Sequence, residues 1–193
     1  MNATLFEGGK VHRLNEAAAR CGVGKPPRRS EWRALFKERE QTFDDYVRRC
    51  ANRKSATRTT FVLQPLGDVG RRHGPLLERL RGYAKAFFGL ETRITTARPL
   101  PDAAHVPQRD QHNSSMILDD LIDRVPGNAL IFVAVTDRDL FARGKKYVFG
   151  EGHLERRTGV LSLARLETPD ADLFLRRALK LMSHEACHLL SIE

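Results

Sequence analysis

The sequence predicts an α/β domain built on a mixed, twisted sheet of about five strands with helices packed against it. Three observations carry this expectation. Residues 129–135 (Ala-Leu-Ile-Phe-Val-Ala-Val) form an unbroken apolar run, as a central strand buried on both faces requires. β-Branched or alternating stretches take turns with stretches whose apolar residues recur at helical spacing. Their order is strand, helix, strand, helix, three strands, helix, which suits a layered α/β domain.

The elements follow from local chemistry. Thr59–Gln64 is β-branched and apolar, is bounded by Pro65 and Gly67, and reads as the first strand. Gly74-Pro75 opens a helix over 75–88, where Leu76, Leu77, Leu80, Tyr83, Ala84, Phe87 and Phe88 share a face and Gly89 ends it. Glu91–Ala97 alternates and reads as a second strand, and the proline-containing Arg98–Asp110 as a loop. Asn113 or Ser114 caps a helix over 112–124 that carries Met116, Ile117, Leu118, Leu121 and Ile122, and Pro126-Gly127 stops it. Lys146–Phe149 is short and charged at its start, which suits an edge strand. Val160–Leu166 reads as another buried strand. A last helix over 170–190 places Asp170 and Asp172 in its positive first turn.

Residues 1–58 read differently. Glycine and proline pairs interrupt them, apolar residues are sparse, and only short helices at Asn15–Arg20 and Ser30–Lys37 suggest themselves. Between Lys25 and Arg58 eleven basic residues face five acidic ones, a local charge of +6 within a chain total of +9. The expectation is a basic, loosely structured arm over 1–58 and a folded domain over 59–193.

Composition excludes several classes. At 193 residues and 21.9 kDa the chain can bury a core without disulfides. Its three cysteines, Cys21, Cys50 and Cys187, are odd in number and widely spaced, which fits a reducing compartment. No apolar run approaches the roughly 18 residues needed to span a bilayer, and the first residues lack the pattern of a secretory signal. An intracellular protein, cytoplasmic or nuclear, with no membrane partner is therefore expected.

The chemistry concentrates in His184-Glu185-Ala186-Cys187-His188, an H-E-x-x-H on the last predicted helix. Residues four apart lie one turn apart on one face, so His184 and His188 can offer imidazole nitrogens to one zinc ion. Glu185, on the adjacent flank, can act as general base toward a water activated by the metal. Random placement of this composition yields roughly 0.016 matches to the pattern, so chance is a poor explanation. Cys187 reads as a buried thiol, with zinc contact the lesser option. His112 and His153 are isolated, and Asp137 and Asp139 read as turn formers after the central strand.

The blocks Phe61–Gly67, Gly82–Leu90, Val135–Leu140, Tyr147–Glu151 and Val160–Leu166, followed by His184–His188, resemble the archaemetzincins, especially their eukaryotic-type branch. The resemblance spans about 59–193. It implies a zincin-like fold and a zinc metallopeptidase of peptide or protein substrates, with His184 and His188 as zinc ligands and Glu185 as base. It also implies a substrate laid along the edge strand, expected at Lys146–Phe149. In the family's full motif, H-E-x-x-H-x-x-G-x-x-H, the glycine position is occupied here by Ser191, and the third histidine falls directly after Glu193. The resemblance therefore implies a domain cut short before its third ligand, with weak zinc binding and little turnover expected of residues 1–193. Two other classes compete: a catalytically dead peptide-binding relative, and a basic nucleic-acid-binding module. The second is disfavoured, because Trp32, Phe36, Phe43 and Tyr46 recur at core-like helical spacing and not along a basic stripe.

Overall fold

In a computed structural model that describes residues 41–192, the chain first forms helix α1 (Phe43–Arg49). Its start is fixed by a reciprocal cap: the Asp45 amide donates to Thr42 Oγ1 at 3.1 Å, and the Thr42 amide donates to the Asp45 carboxylate at 3.3 Å. The expectations for residues 1–40, including both short helices, lie outside the described residues. Residues 41–58 divide into α1 and a connecting stretch in which Cys50 and Asn52 are buried.

Strand β1 (Thr60–Leu66) is buried throughout. A single turn, α2 (Val69–Arg72), precedes α3 (Gly74–Phe88), which begins with Pro75 and ends at Gly89 in the left-handed conformation, φ +62°. Strand β2 is Glu91–Ile94, shorter than expected, because the ladder is interrupted after Ile94 and the chain rejoins β1 only at the parallel bridge of Arg98 to Leu66. The stretch 98–110 holds strand β3 (His105–Val106) as well as turns. Strand β4 (Gln111–Asn113) leads into α4 (Ser114–Ile122), where the Met116 amide donates to the Asn113 cap at 3.2 Å. Strands β5 (Ala129–Thr136), β6 (Leu140–Phe141), β7 (Gly150–His153) and β8 (Thr158–Ser162) follow, and then α5 (Ala171–Leu189).

The main sheet has the order β2-β1-β5-β8-β7. The first four strands are parallel, and β7 pairs antiparallel with β8 in the register Gly150↔Leu161 and Gly152↔Gly159. This is the mixed five-stranded sheet expected. The apolar run of β5 splits by its period of two. Ile131, Val133 and Val135 join the cluster under α3 and α5, while Phe132 and Ala134 join the cluster under α4. Both faces of the sheet are therefore covered. A second small sheet, β3-β4-β6, was not foreseen in the sequence.

The edge strand lies four residues later than expected, at Gly150–His153 instead of Lys146–Phe149. Lys146–Phe149 is a loop in which only Val148 makes a bridge, to Leu140. Its backbone is engaged elsewhere: Arg109 Nη2 donates to the Lys146 carbonyl at 2.6 Å and Gln111 Nε2 at 3.2 Å, while the Arg165 guanidinium lies 4.0 Å over the Tyr147 ring. The ladder starts at Gly150. No helix among the described residues is long and apolar enough to cross a membrane.

Candidate metal centre

Helix α5 starts where Asp170 Oδ1 accepts from the Leu173 amide at 3.0 Å. Its buried positions are Ala178, Met182, Glu185, Ala186 and Leu189, one stripe at helical spacing that faces β8, β7 and β5. Glu185 therefore sits within the apolar stripe, and His184 and His188 project from its flank.

The histidine rings lie 4.3 Å apart between centroids, and their Nε2 atoms approach to 3.0 Å. Two nitrogens on one tetrahedral zinc at ~2.0–2.1 Å would stand about 3.3 Å apart, so this pair fits a shared zinc with little adjustment. His188 Nδ1 lies 3.1 Å from the Ile192 carbonyl. Because a carbonyl only accepts, Nδ1 carries the proton, and the Nε2 lone pair points toward His184. Among the described residues no third His, Cys, Asp or Glu converges with the pair. Cys187 is half-buried, and burial raises its thiol pKa, which opposes the thiolate a zinc ligand must be.

The Glu185 carboxyl is only 6% exposed. It lies directly against Gly150 of β7, where a Cβ would come within 2.5 Å of its Cδ and Oε1. Burial, reinforced by the charge of Glu151 and partly opposed by Lys145, pushes its pKa from 4.5 up to about 7. Such a group can exchange a proton near neutrality. Glu151 is itself anchored at the start of α4, where it accepts from the hydroxyls of Ser114 and, at 3.2 and 3.3 Å, Ser115. Two residues further along β7, a Cβ at Gly152 would come within 3.2 Å of Leu189 Cδ2. β7 thus omits side chains where α5 crosses it.

The helix leaves through a Schellman turn. The Ile192 amide donates to the Cys187 carbonyl at 2.9 Å and the Ser191 amide to the His188 carbonyl at 3.0 Å, with Ser191 at φ +64°. Ser191 thus takes the left-handed conformation that the glycine of the motif would adopt, and its buried Oγ has no partner among the described residues.

The structure brings together His184, Glu185 and His188, and keeps the other candidates apart from them. Asp137 is held by Arg72 at 2.6 Å, and Asp139 by Arg165 at 2.7 Å and Gln111 at 2.8 Å. His112 stacks beside His105, with centroids 4.8 Å apart. Sequence reasoning gave Gly150 and Glu151 no part in the site, naming them only within the block Tyr147–Glu151. The only signal was the pair of glycines flanking a carboxylate after an aromatic-rich loop.

Residues 109–193 match the model of Peptidase family M54. The archaemetzincin of Natronomonas pharaonis is 33% identical over 118 residues, covering 56% of this chain and 67% of its own. That of Methanocaldococcus jannaschii is 33% identical over 138 residues, covering 68% and 73%. The chain spans 64% of the Methanopyrus kandleri archaemetzincin, so about two thirds of its relatives' length is represented. Two solved structures are similar. Archaemetzincin from Archaeoglobus fulgidus, complexed with malonate, gives a TM-score of 0.59 at 30% identity, covering 68% of this chain and 77% of that one. The Methanopyrus kandleri structure gives 0.61 at 27%, covering 70% and 75%.

Proposed function

The chain belongs to the archaemetzincins, a family of zinc metallopeptidases, and from that premise we propose that His184 and His188 hold the zinc ion and Glu185 is the general base of peptide-bond hydrolysis. The observation that carries this reading is the buried Glu185 carboxyl, with its pKa near 7, next in sequence to His184, whose Nε2 converges with that of His188 one turn on.

Bound zinc supplies a Lewis acid that acidifies water and polarises the scissile carbonyl. The chain's own residues do the rest. His188 presents Nε2 because its Nδ1–H is tied to Ile192. Glu185 takes a proton at its carboxylate and returns it to the leaving amine, and a pKa near neutrality suits both transfers. Met182, Ala186 and Leu189 exclude water from its inner side. Among the described residues the outer side of β7 has no neighbouring strand, so an extended substrate can add there by backbone hydrogen bonds. The platform is thus Gly150–His153.

Two imidazoles are fewer than the three protein donors usual for catalytic zinc. A polypeptide of residues 1–193 is expected to hold zinc weakly, and one continued by a histidine after Glu193 to hold it tightly. The experiment is zinc affinity together with zinc-supplemented peptide hydrolysis for both polypeptides. His184→Ala and His188→Ala should weaken zinc binding, and Glu185→Gln should stop turnover while sparing zinc. Turnover that survives Glu185→Gln would remove the base from this account. In a peptide-binding relative without turnover, the same edge would bind peptide with no cleavage in either polypeptide.

A further inference from the structure

The carbonyls at the end of a helix have no partners within it. At the end of α5, three consecutive ones are taken by side chains from a segment about 140 residues earlier. Asn52 Nδ2 donates to the Leu189 carbonyl at 2.9 Å. The Cys50 thiol donates to the Leu190 carbonyl at 3.2 Å. Gln41 Nε2 donates to the Ser191 carbonyl at 2.7 Å. Asn52 is 3% exposed, and its amide also donates to the Leu130 carbonyl of β5 at 2.8 Å. One side chain thus ties the helix end to the central strand. The next carbonyl, that of Ile192, accepts the proton of His188 Nδ1.

We propose that Gln41, Cys50 and Asn52 form a clamp on the exit turn of α5, and that Asn52 and Gln41 are positioning residues for His188. The inference rests on the reading of His188 as a zinc ligand. The clamp holds the peptide groups of Leu189, Leu190 and Ser191, and so fixes where the Ile192 carbonyl lies beneath the ring. That acceptor sets the tautomer of His188 and aims Nε2. Outer hydrogen bonds of this kind are typically worth about 10–100-fold in metal affinity. The strained φ of Ser191 gives the clamp a further task, since a turn that favours glycine needs outside contacts to persist with serine.

The test compares zinc affinity of the full chain, read by competition with a chromophoric chelator, with the ring nitrogen shifts of His188 in the metal-free chain. Gln41→Glu keeps the shape but turns an acceptor toward the Ser191 carbonyl. It should weaken zinc about tenfold or more and shift His188 from the Nδ1–H toward the Nε2–H form. Gln41→Lys returns an N–H donor and should restore both. Asn52→Ala should have the larger effect, and Gln41→Glu decides the matter if that variant does not fold. Leu118→Ala, in the core cluster under α4, should lower stability and leave both readouts unchanged. Wild-type affinity and ring shifts in folded Gln41→Glu and Asn52→Ala would overturn the clamp. If His184→Ala binds zinc as the wild type does, the zinc reading fails instead, and the ring shifts still decide whether the clamp orients His188.

Discussion

The central strand β5 and the edge strand β7 belong to one sheet and are held by opposite means. β5 contributes eight buried residues, and its side chains fill a core cluster on each face. β7 is Gly-Glu-Gly-His and has one strand neighbour among the described residues. It is shaped by what it leaves out: the missing side chains of Gly150 and Gly152 are the space into which Glu185 and Leu189 fit. The centre of the sheet therefore secures the fold through apolar volume. Its edge accommodates a carboxyl in a pocket that raises the pKa of that carboxyl.

The largest test of this contrast lies in β5. Phe132→Ala should cost about 3–5 kcal/mol in urea unfolding, as transfer and cavity terms add. A loss below about 1 kcal/mol would mean that the centre is not held by volume.

The second test is the burial of Glu185. In the metal-free chain the folded carboxyl keeps its proton up to about pH 7, whereas the unfolded one releases it near 4.5. Between those values the folded state binds more protons, so stability falls as pH rises through that window. The loss reaches at most about 3 kcal/mol above pH 7. Glu185→Gln should remove this slope and be the more stable form at pH 8, as compared by unfolding midpoints at pH 5 and pH 8. Parallel pH profiles for the two proteins would contradict the account.

The third test is Gly150→Ala, which drives a methyl into the Glu185 carboxyl and should cost about 1–3 kcal/mol. In a double-mutant cycle the cost should nearly vanish on a Glu185→Ala background. A cost that persists there would place the strain in the strand itself. The smallest expected effect is Ser191→Gly, which relieves the left-handed backbone and should stabilise by roughly 1 kcal/mol. Any destabilisation would show that serine makes a favourable contact at that turn.

The same contrast decides what the sequence discloses. β1 and β5 are buried on both faces, so their apolar runs could be read directly, and so could the helices facing them. β8 was expected at Val160–Leu166 but runs Thr158–Ser162, because the buried Leu163 and Leu166 prolong the apolar pattern past the strand's end. The H-E-x-x-H spacing was legible because a helix converts a separation of four into a shared face. β7 was not legible, since two glycines, a glutamate and a histidine carry no strand period. Its edge role was assigned to Lys146–Phe149, whose aromatic residues mimic one. Asn52 was also silent. A single asparagine in a basic stretch gives no sign that it will be buried between Leu130 and Leu189. Burial of that kind is set by tertiary contacts and leaves no local pattern.

The bond from Asn52 to Leu189 joins positions 137 apart in the chain. Closing so long a loop costs on the order of 4 kcal/mol in chain entropy, so contacts of this separation form after the local ones have assembled. It also has to wait until α5 has docked on β8. The orientation of His188 is accordingly a late product of folding. During refolding, capture of zinc is expected to follow recovery of the far-ultraviolet helix and sheet signal, and capture that keeps pace with that signal would show that the histidine pair is set by its helix alone.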